Sequence, residues 1–414
     1  MSHRSPLSMA ALVLSITFGG SPSVMAATMS ASDLRWLWPA RRTATPTRTP
    51  AKSPTPNPTR AATRTPTASA TLTATRTRTP VTVTGATATR TPTSSLTATW
   101  TRTATRTATA TSPPPPTTSG GPRLGDCPVF PADNVWNRRV DTLPVDPNSS
   151  AYVANIGATA GLHPDFGSGL WDGGPIGIPF VTVPGTQPFV PIDFIWYGDE
   201  SDSGPYPVPA NAPVEGGSAS SGDRHVLVVD TGNCVLYELY YAWPQSDGSW
   251  QAGSGAVFDL RSNAMRPAGW TSADAAGFAI MPGLVRYDEV AAGAINHAVR
   301  FTVPRTRNTY LWPARHQASS STDLTRPPMG QRFRLKASFD LSAFSAANRV
   351  ILTALKTYGM FIADNGSSWY LSGAPDERWD NDDLHNLQTR VHGSDFEAVD
   401  ESSLIGDPNS AQAR

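Results

Sequence analysis

The chain has 414 residues, among them 39 prolines, 33 glycines and only two cysteines, with 33 basic residues against 33 acidic ones. That neutrality averages two unlike parts. Fourteen of the basic residues stand at or before Arg123 against a single acid, Asp33, so residues 124–414 carry 19 basic and 32 acidic residues, a charge near −13. An acidic folded part argues against nucleic acid as a partner, which needs clustered Lys and Arg to displace counterions, and against polyanions such as pectate or alginate as substrates.

The chain opens with His3 and Arg4, an apolar run over 7–18, and Val24-Met25-Ala26. Positive, apolar and small residues in that order read as a signal peptide over 1–26, cut after Ala26. The apolar run is nearer a dozen residues than the roughly 20 of a spanning helix, and no other stretch approaches that length, so no transmembrane segment is expected. Residues 27–122 form a low-complexity linker rich in Thr, Pro and Arg. From Pro39 to Pro122 it holds no Asp or Glu and is written as loose repeats of Thr-Ala-Thr-Arg-Thr and Thr-Arg-Thr-Pro. It buries too little apolar surface to offset the entropy of ordering, so it is expected to be disordered and extended. Such a tether places the protein outside the cell as a secreted or extracellular protein. Its arginines are suited to holding an anionic cell envelope, which would keep the domain at the cell surface.

A globular β-rich domain is expected over 123–402 and a flexible tail over 403–414. Cys127 and Cys234 both fall in that domain, without CxxC or Cys/His spacing, so one disulfide pinning the first strand to a central one is expected. Short β-branched or aromatic segments bounded by Gly, Pro, Asp or Asn mark strands at 178–183, 189–197, 225–230, 234–241, 255–260, 297–303, 309–312 and 332–338. Asp230-Thr231-Gly232-Asn233 reads as a hairpin turn, and Asn365-Gly366 as a second one before Ser368. The clearest helix is 345–358, capped by Ser345 and stopped by Gly359, with shorter turns near 149–156, 272–276 and 382–387. The long irregular stretches 198–223 and 262–289 read as ordered walls of a cleft. Hairpins without βαβ alternation argue for a mainly β fold, an antiparallel β-sandwich or jelly roll with long loops and a few short helices.

The words FPADNVWN, LHPDFGSG, DRHVLVVD, GWTSADAAG, MPGLVRYDEV, WPARH, RLKASFD and ADNGSSWY run through 130–370. They resemble a widespread group of exported bacterial proteins without assigned function, and the resemblance covers most of 130–400. It implies export but transfers no catalytic residue, so chemistry has to be read from side chains.

Glycosidic hydrolysis takes two carboxyl groups, one to protonate the leaving oxygen and one to act as nucleophile or base. Glu238 shares a strand face with Leu236 and Tyr240, an apolar and aromatic wall that would raise its pKa towards that of a general acid; a solvated face is the alternative. Asp259 is the expected partner, with an ion pair to Arg261 as the competing role. Asp274, Asp288, Glu289 and Asp364 fall in loops or at strand ends, Asp364 as a cap of the Asn365-Gly366 turn. His225 and His297 are expected to support catalysis. Convergence of His225, His297 and His316 on one cavity would hold zinc, copper or iron, but no HxH or HExxH spacing accompanies them, so no cofactor is expected and the metal stands as an alternative. Trp270, Trp312, Arg300, Arg315 and His316 are the expected substrate-binding residues, since flat rings on loops stack sugars and guanidinium groups recognise carboxylates or pair internally. The leading expectation is an exported carbohydrate-active enzyme, a glycoside hydrolase acting through a carboxylate pair on a neutral cell-wall or environmental polysaccharide. The alternatives are a non-catalytic glycan-binding or adhesin domain on a surface tether, and a His-dependent metal oxidoreductase or polysaccharide lyase.

Overall fold

The computed structural model describes residues 121–414; the signal peptide and, up to residue 120, the linker lie outside the described residues. The described part is mainly β with few short helices, as expected. Strands Ser254–Asp259, Val235–Tyr240, Val226–Asp230 and Phe180–Val183 form a four-stranded sheet in that order. Strands Phe396–Ala398, Arg332–Leu335, Met360–Asn365, Val299–Val303, Tyr370–Ser372 and His163–Asp165 form a six-stranded one. Antiparallel pairs predominate, but Phe180–Val183 runs parallel to Val226–Asp230, and Val299–Val303 parallel to Met360–Asn365. The sheets are therefore mixed.

Val226–Asp230 is buried at every position, which accounts for its unbroken apolar run. Leu227 and Val229 face a large core shared with the six-stranded sheet, while Val226 and Val228 face a smaller one shared with Trp250, Ala252 and Tyr206. The four-stranded sheet is thus a middle layer. The expected disulfide Cys127–Cys234 is formed, with Cα atoms 5.3 Å apart. The Asp230 turn is also as expected, its carboxylate accepting from Gly232 N, Asn233 N and Asn233 Nδ2.

The expected helix at 345–358 is Ala346–Thr357, with the Ser345 Oγ accepting from Asn348 N. Helices Ser149–Ile156 and Asn381–Arg390 also stand where turns were read, whereas 272–276 is irregular. The second hairpin is not formed. Met360–Asn365 and Tyr370–Ser372 do not pair with each other, because Val299–Val303 inserts between them. Asn365 is instead anchored by Thr306 N and Ala318 O, and the left-handed residue that turns the chain is Trp369, at φ 58°.

The C-terminal segment, expected to be flexible, is packed. Ala411 and Ala413 are buried, Val135 N donates to Ala411 O, and Gln412 bridges to Asn134. Its buried apolar side chains are Leu404 and the small Ala411 and Ala413, too few and too widely spaced to leave a periodic hydrophobic signal in the sequence.

Candidate functional site

Residues 271–285 lie between the two large sheets and are buried throughout except for half-buried Ala275. An irregular segment so enclosed must find partners for its backbone polar groups. Several come from side chains that the sequence singled out. The Glu238 carboxylate accepts from Ile280 N and Met281 N at 2.9 Å. His225 Nε2 donates to Ala273 O at 3.0 Å and His316 Nδ1 to Ala275 O at 2.8 Å. Between them Asp274 is clamped by Arg300, whose Nε and Nη2 lie 3.2 and 3.1 Å from its oxygens; the remaining Nη1 donates to Ser372 Oγ at 2.7 Å. Gly277 turns this loop at φ 74°, where a Cβ would stand 2.7 Å from Trp270 O, so only glycine fits.

Above this buried floor lies a rim of carboxylates open to solvent. Asp165 ends its strand opposite Ser372, Asp364 sits beside the strand of Arg300, and Glu215 and Asp223 come from the loop ahead of Val226–Asp230. Asp165 and Asp223 are exposed; Glu215 and Asp364 are half-buried. Glu215 Oε2 lies 2.5 Å from His225 Nδ1, so both ring nitrogens of His225 donate to oxygens and the ring is an imidazolium. Burial opposes that charge, but Glu215, and then Asp223, lift the His225 pKa to about 9. Burial would likewise raise Glu215, yet His225 outweighs it and holds the carboxyl below its ordinary value.

The other acids move the opposite way. Burial, then repulsion from Asp274, pushes Asp364 up to about 7 despite Arg300. Loss of hydration among the surrounding walls, then Glu215, raises Asp165 to about 6, although its exposure keeps solvent at hand to temper the rise. Asp223, equally exposed, rises for the same first reason, against His225. Burial brings Glu238 to about 7 against the donors Met281 N and Ile280 N, and burial raises Asp274 against Arg300. Six carboxyl groups surround two cations, so their ionisations spread apart. Tyr240, beside His225 with ring centroids 5.7 Å apart, is raised to about 12 by burial and then by Asp223 and Asp364, which places it on the same basin. Arg224 and Tyr241, flanking this edge, both hold φ of 53°, and non-glycine residues in that strained region collect at functional sites.

Several expected site residues stand elsewhere or do other work. Ala256 is the register partner of Glu238, so Asp259, an odd number of residues along, points from the opposite face; it is exposed and caps a turn by accepting from Arg261 N. No Glu238–Asp259 carboxylate pair exists, and Glu238 is 0% exposed. His297 is fully buried, with Nδ1 at Ala298 O and Nε2 at Glu289, which Arg286 also holds. His225, His297 and His316 thus bind separate oxygens. Among the described residues no three His, Cys, Asp or Glu side chains are grouped to hold a metal. Arg315 donates to Arg266 O and Pro408 O, and Trp312 Nε1 to Ser410 O, so both tie down the C-terminal segment. Trp270 lies half-buried under the Arg266 guanidinium. A small apolar cavity lined by Phe130, Trp136, Phe258, Met265 and Phe278 carries no carboxylate.

Of the expected set, Glu238, His225, Arg300 and His316 support the basin's floor. Of the rim acids, only Asp364 stands out in the sequence, as a turn cap. Asp165 and Asp223 lie inside LHPDFGSG and DRHVLVVD beside the more conspicuous His163 and His225, and Glu215 sits in a loop whose one cue is the Gly216-Gly217 pair behind it. Comparison with protein-family models, with curated proteins and with solved structures finds no match for this chain.

Proposed function

We propose that the domain is an exported glycoside hydrolase that cleaves a neutral polysaccharide, with Asp364 as proton donor and Glu215 as the carboxylate base or nucleophile. The observation that carries this reading is the pair of solvent-reached carboxyl groups with ionisations driven in opposite directions, Asp364 up to about 7 and Glu215 below its ordinary value, over the same buried Arg300. With its pKa at about 7, Asp364 still keeps its proton in about half of the molecules at neutral pH, ready to give to the leaving glycosidic oxygen. Glu215 stays ionised because His225 engages its Oε2, which leaves Oε1 without a protein donor among the described residues. In the step itself the C–O bond breaks, the leaving oxygen takes the Asp364 proton, and water adds at the anomeric carbon while its proton passes to a carboxylate. Excess carboxylate on the rim favours an uncharged sugar over a polyanion. The disulfide suits an oxidising, extracellular setting.

The test is reducing-end release from a panel of neutral polysaccharides. The wild type and Glu238→Gln are expected to release ends, and Asp364→Asn and Glu215→Gln to lose about 10²-fold or more. Saturable binding with no product from any polysaccharide would instead mark a glycan-binding domain.

A further inference from the structure

We infer that Trp196 and Tyr241 form a sugar-stacking subsite continuous with the acidic basin, so that the substrate binds as a chain of several sugar units with one ring lying on the indole of Trp196. The inference rests on the basin being the reaction site and adds which part of the substrate binds beside it. Trp196 is 51% exposed, and its ring stacks against Tyr241 with centroids 4.5 Å apart and planes inclined by 29°. Tyr240 links this pair to the basin, 5.8 Å from Trp196 and 5.7 Å from His225.

Two backbone features hold the platform in place. Gly253 lies directly under Trp196: a Cβ there would meet the indole Cε3 at 2.7 Å and the Tyr240 ring at 3.0 Å, so glycine lets the two rings settle on the strand. Tyr241 adopts φ 53°, a left-handed conformation that strains a residue with a β-carbon, and the ring so placed is only half-buried. A flat, exposed, uncharged surface bordered by carboxylates matches the C–H face of a sugar ring, with its hydroxyls turned to the acids. The Arg224 guanidinium packs over Trp243, 3.5 Å from its ring, and donates to the carbonyls of Ser218 and Ser220.

The experiment uses the full chain and mono- to hexasaccharides of β-1,4-linked glucose, mannose, xylose and N-acetylglucosamine. Binding is read by tryptophan fluorescence and calorimetry, and cleavage by reducing ends. Affinity in the wild type is expected to rise with chain length for at least one series, and Trp196→Ala and Gly253→Ala to weaken the longer members roughly tenfold while leaving the monosaccharide unchanged. Tyr241→Asn, which tolerates the positive φ, is expected to keep the melting temperature and lose the same affinity. The inference is overturned if no oligosaccharide binds, or if Trp196→Ala binds hexasaccharides as the wild type does. Length-dependent binding lost in Trp196→Ala without any cleavage would leave the subsite standing and remove the hydrolase reading alone.

Discussion

Replacing Glu238 by glutamine separates its structural role from a catalytic one. The side chain is wholly buried and accepts from Ile280 N and Met281 N, and burial places its folded pKa at about 7 against an ordinary value of 4.5. A raised carboxyl binds its proton more tightly in the folded protein. Its contribution is therefore fully present below about pH 4.5 and is lost as pH rises through 7. A difference of about 2.5 pK units corresponds to about 3 kcal/mol. Glutamine keeps an acceptor oxygen for the two N–H groups and cannot ionise. Urea unfolding with the disulfide intact should show Glu238→Gln equal to the wild type near pH 4.5 and more stable by up to about 3 kcal/mol at pH 8. Alanine leaves both donors unsatisfied and should cost about 2–6 kcal/mol near pH 4.5, a cost that shrinks by about 3 kcal/mol at pH 8, where the wild type carries the ionisation penalty and alanine does not. A glutamine variant less stable than the wild type at pH 8 would mean that the charged carboxylate stabilises the loop, and would refute this reasoning.

Other substitutions test the scaffold around the basin. Cys127→Ser opens a link spanning 107 residues and should lower stability by about 4–5 kcal/mol in chemical denaturation; a loss under 1 kcal/mol would mean that the denatured chain is held by other means. Gly277→Ala, forced to a left-handed φ with its Cβ against Trp270 O, should destabilise by about 2 kcal/mol or more and shift the near-ultraviolet dichroism of the loop's tryptophan; an unchanged melting temperature would contradict the fit described for this turn. Deleting residues 408–414 removes the Pro408 and Asn409 acceptors of Arg315, the Ser410 acceptor of Trp312, and the buried Ala411 and Ala413. The melting temperature should fall by about 5–10 °C, whereas a free tail would leave it unmoved.

Periodicity revealed what periodicity governs. The buried strand Val226–Asp230, the wall that places Glu238 with Leu236 and Tyr240, and the helix Ala346–Thr357 with its Ser345 cap are all visible as local patterns. Long-range pairing is not. Nothing near Asn365-Gly366 announces that Val299–Val303 will separate the arms of the expected hairpin, and nothing near Asp259 announces a register that turns it away from Glu238. The basin depends on such pairings, since Asp165, Asp364 and the loop that carries Glu215 and Asp223 are three segments far apart in the chain. The side chains most visible in the sequence are mostly those that satisfy the buried loop, because a lone acid in an apolar strand stands out whether it serves a backbone or a substrate. Acids in exposed loops carry no such contrast.

The pH dependence of kcat/KM for reducing-end release, compared between wild type and Asp364→Asn, tests the central claim most directly. The acid must be protonated and the base ionised, so the wild-type profile should fall on the alkaline side near pH 7, as Asp364 loses its proton, and on the acid side only below the ordinary carboxylate range, as Glu215 gains one. Asp364→Asn should be slower by about 10²–10⁴-fold at every pH. A wild-type rate still rising beyond pH 9, or an Asp364→Asn variant with the wild-type rate, would contradict the account.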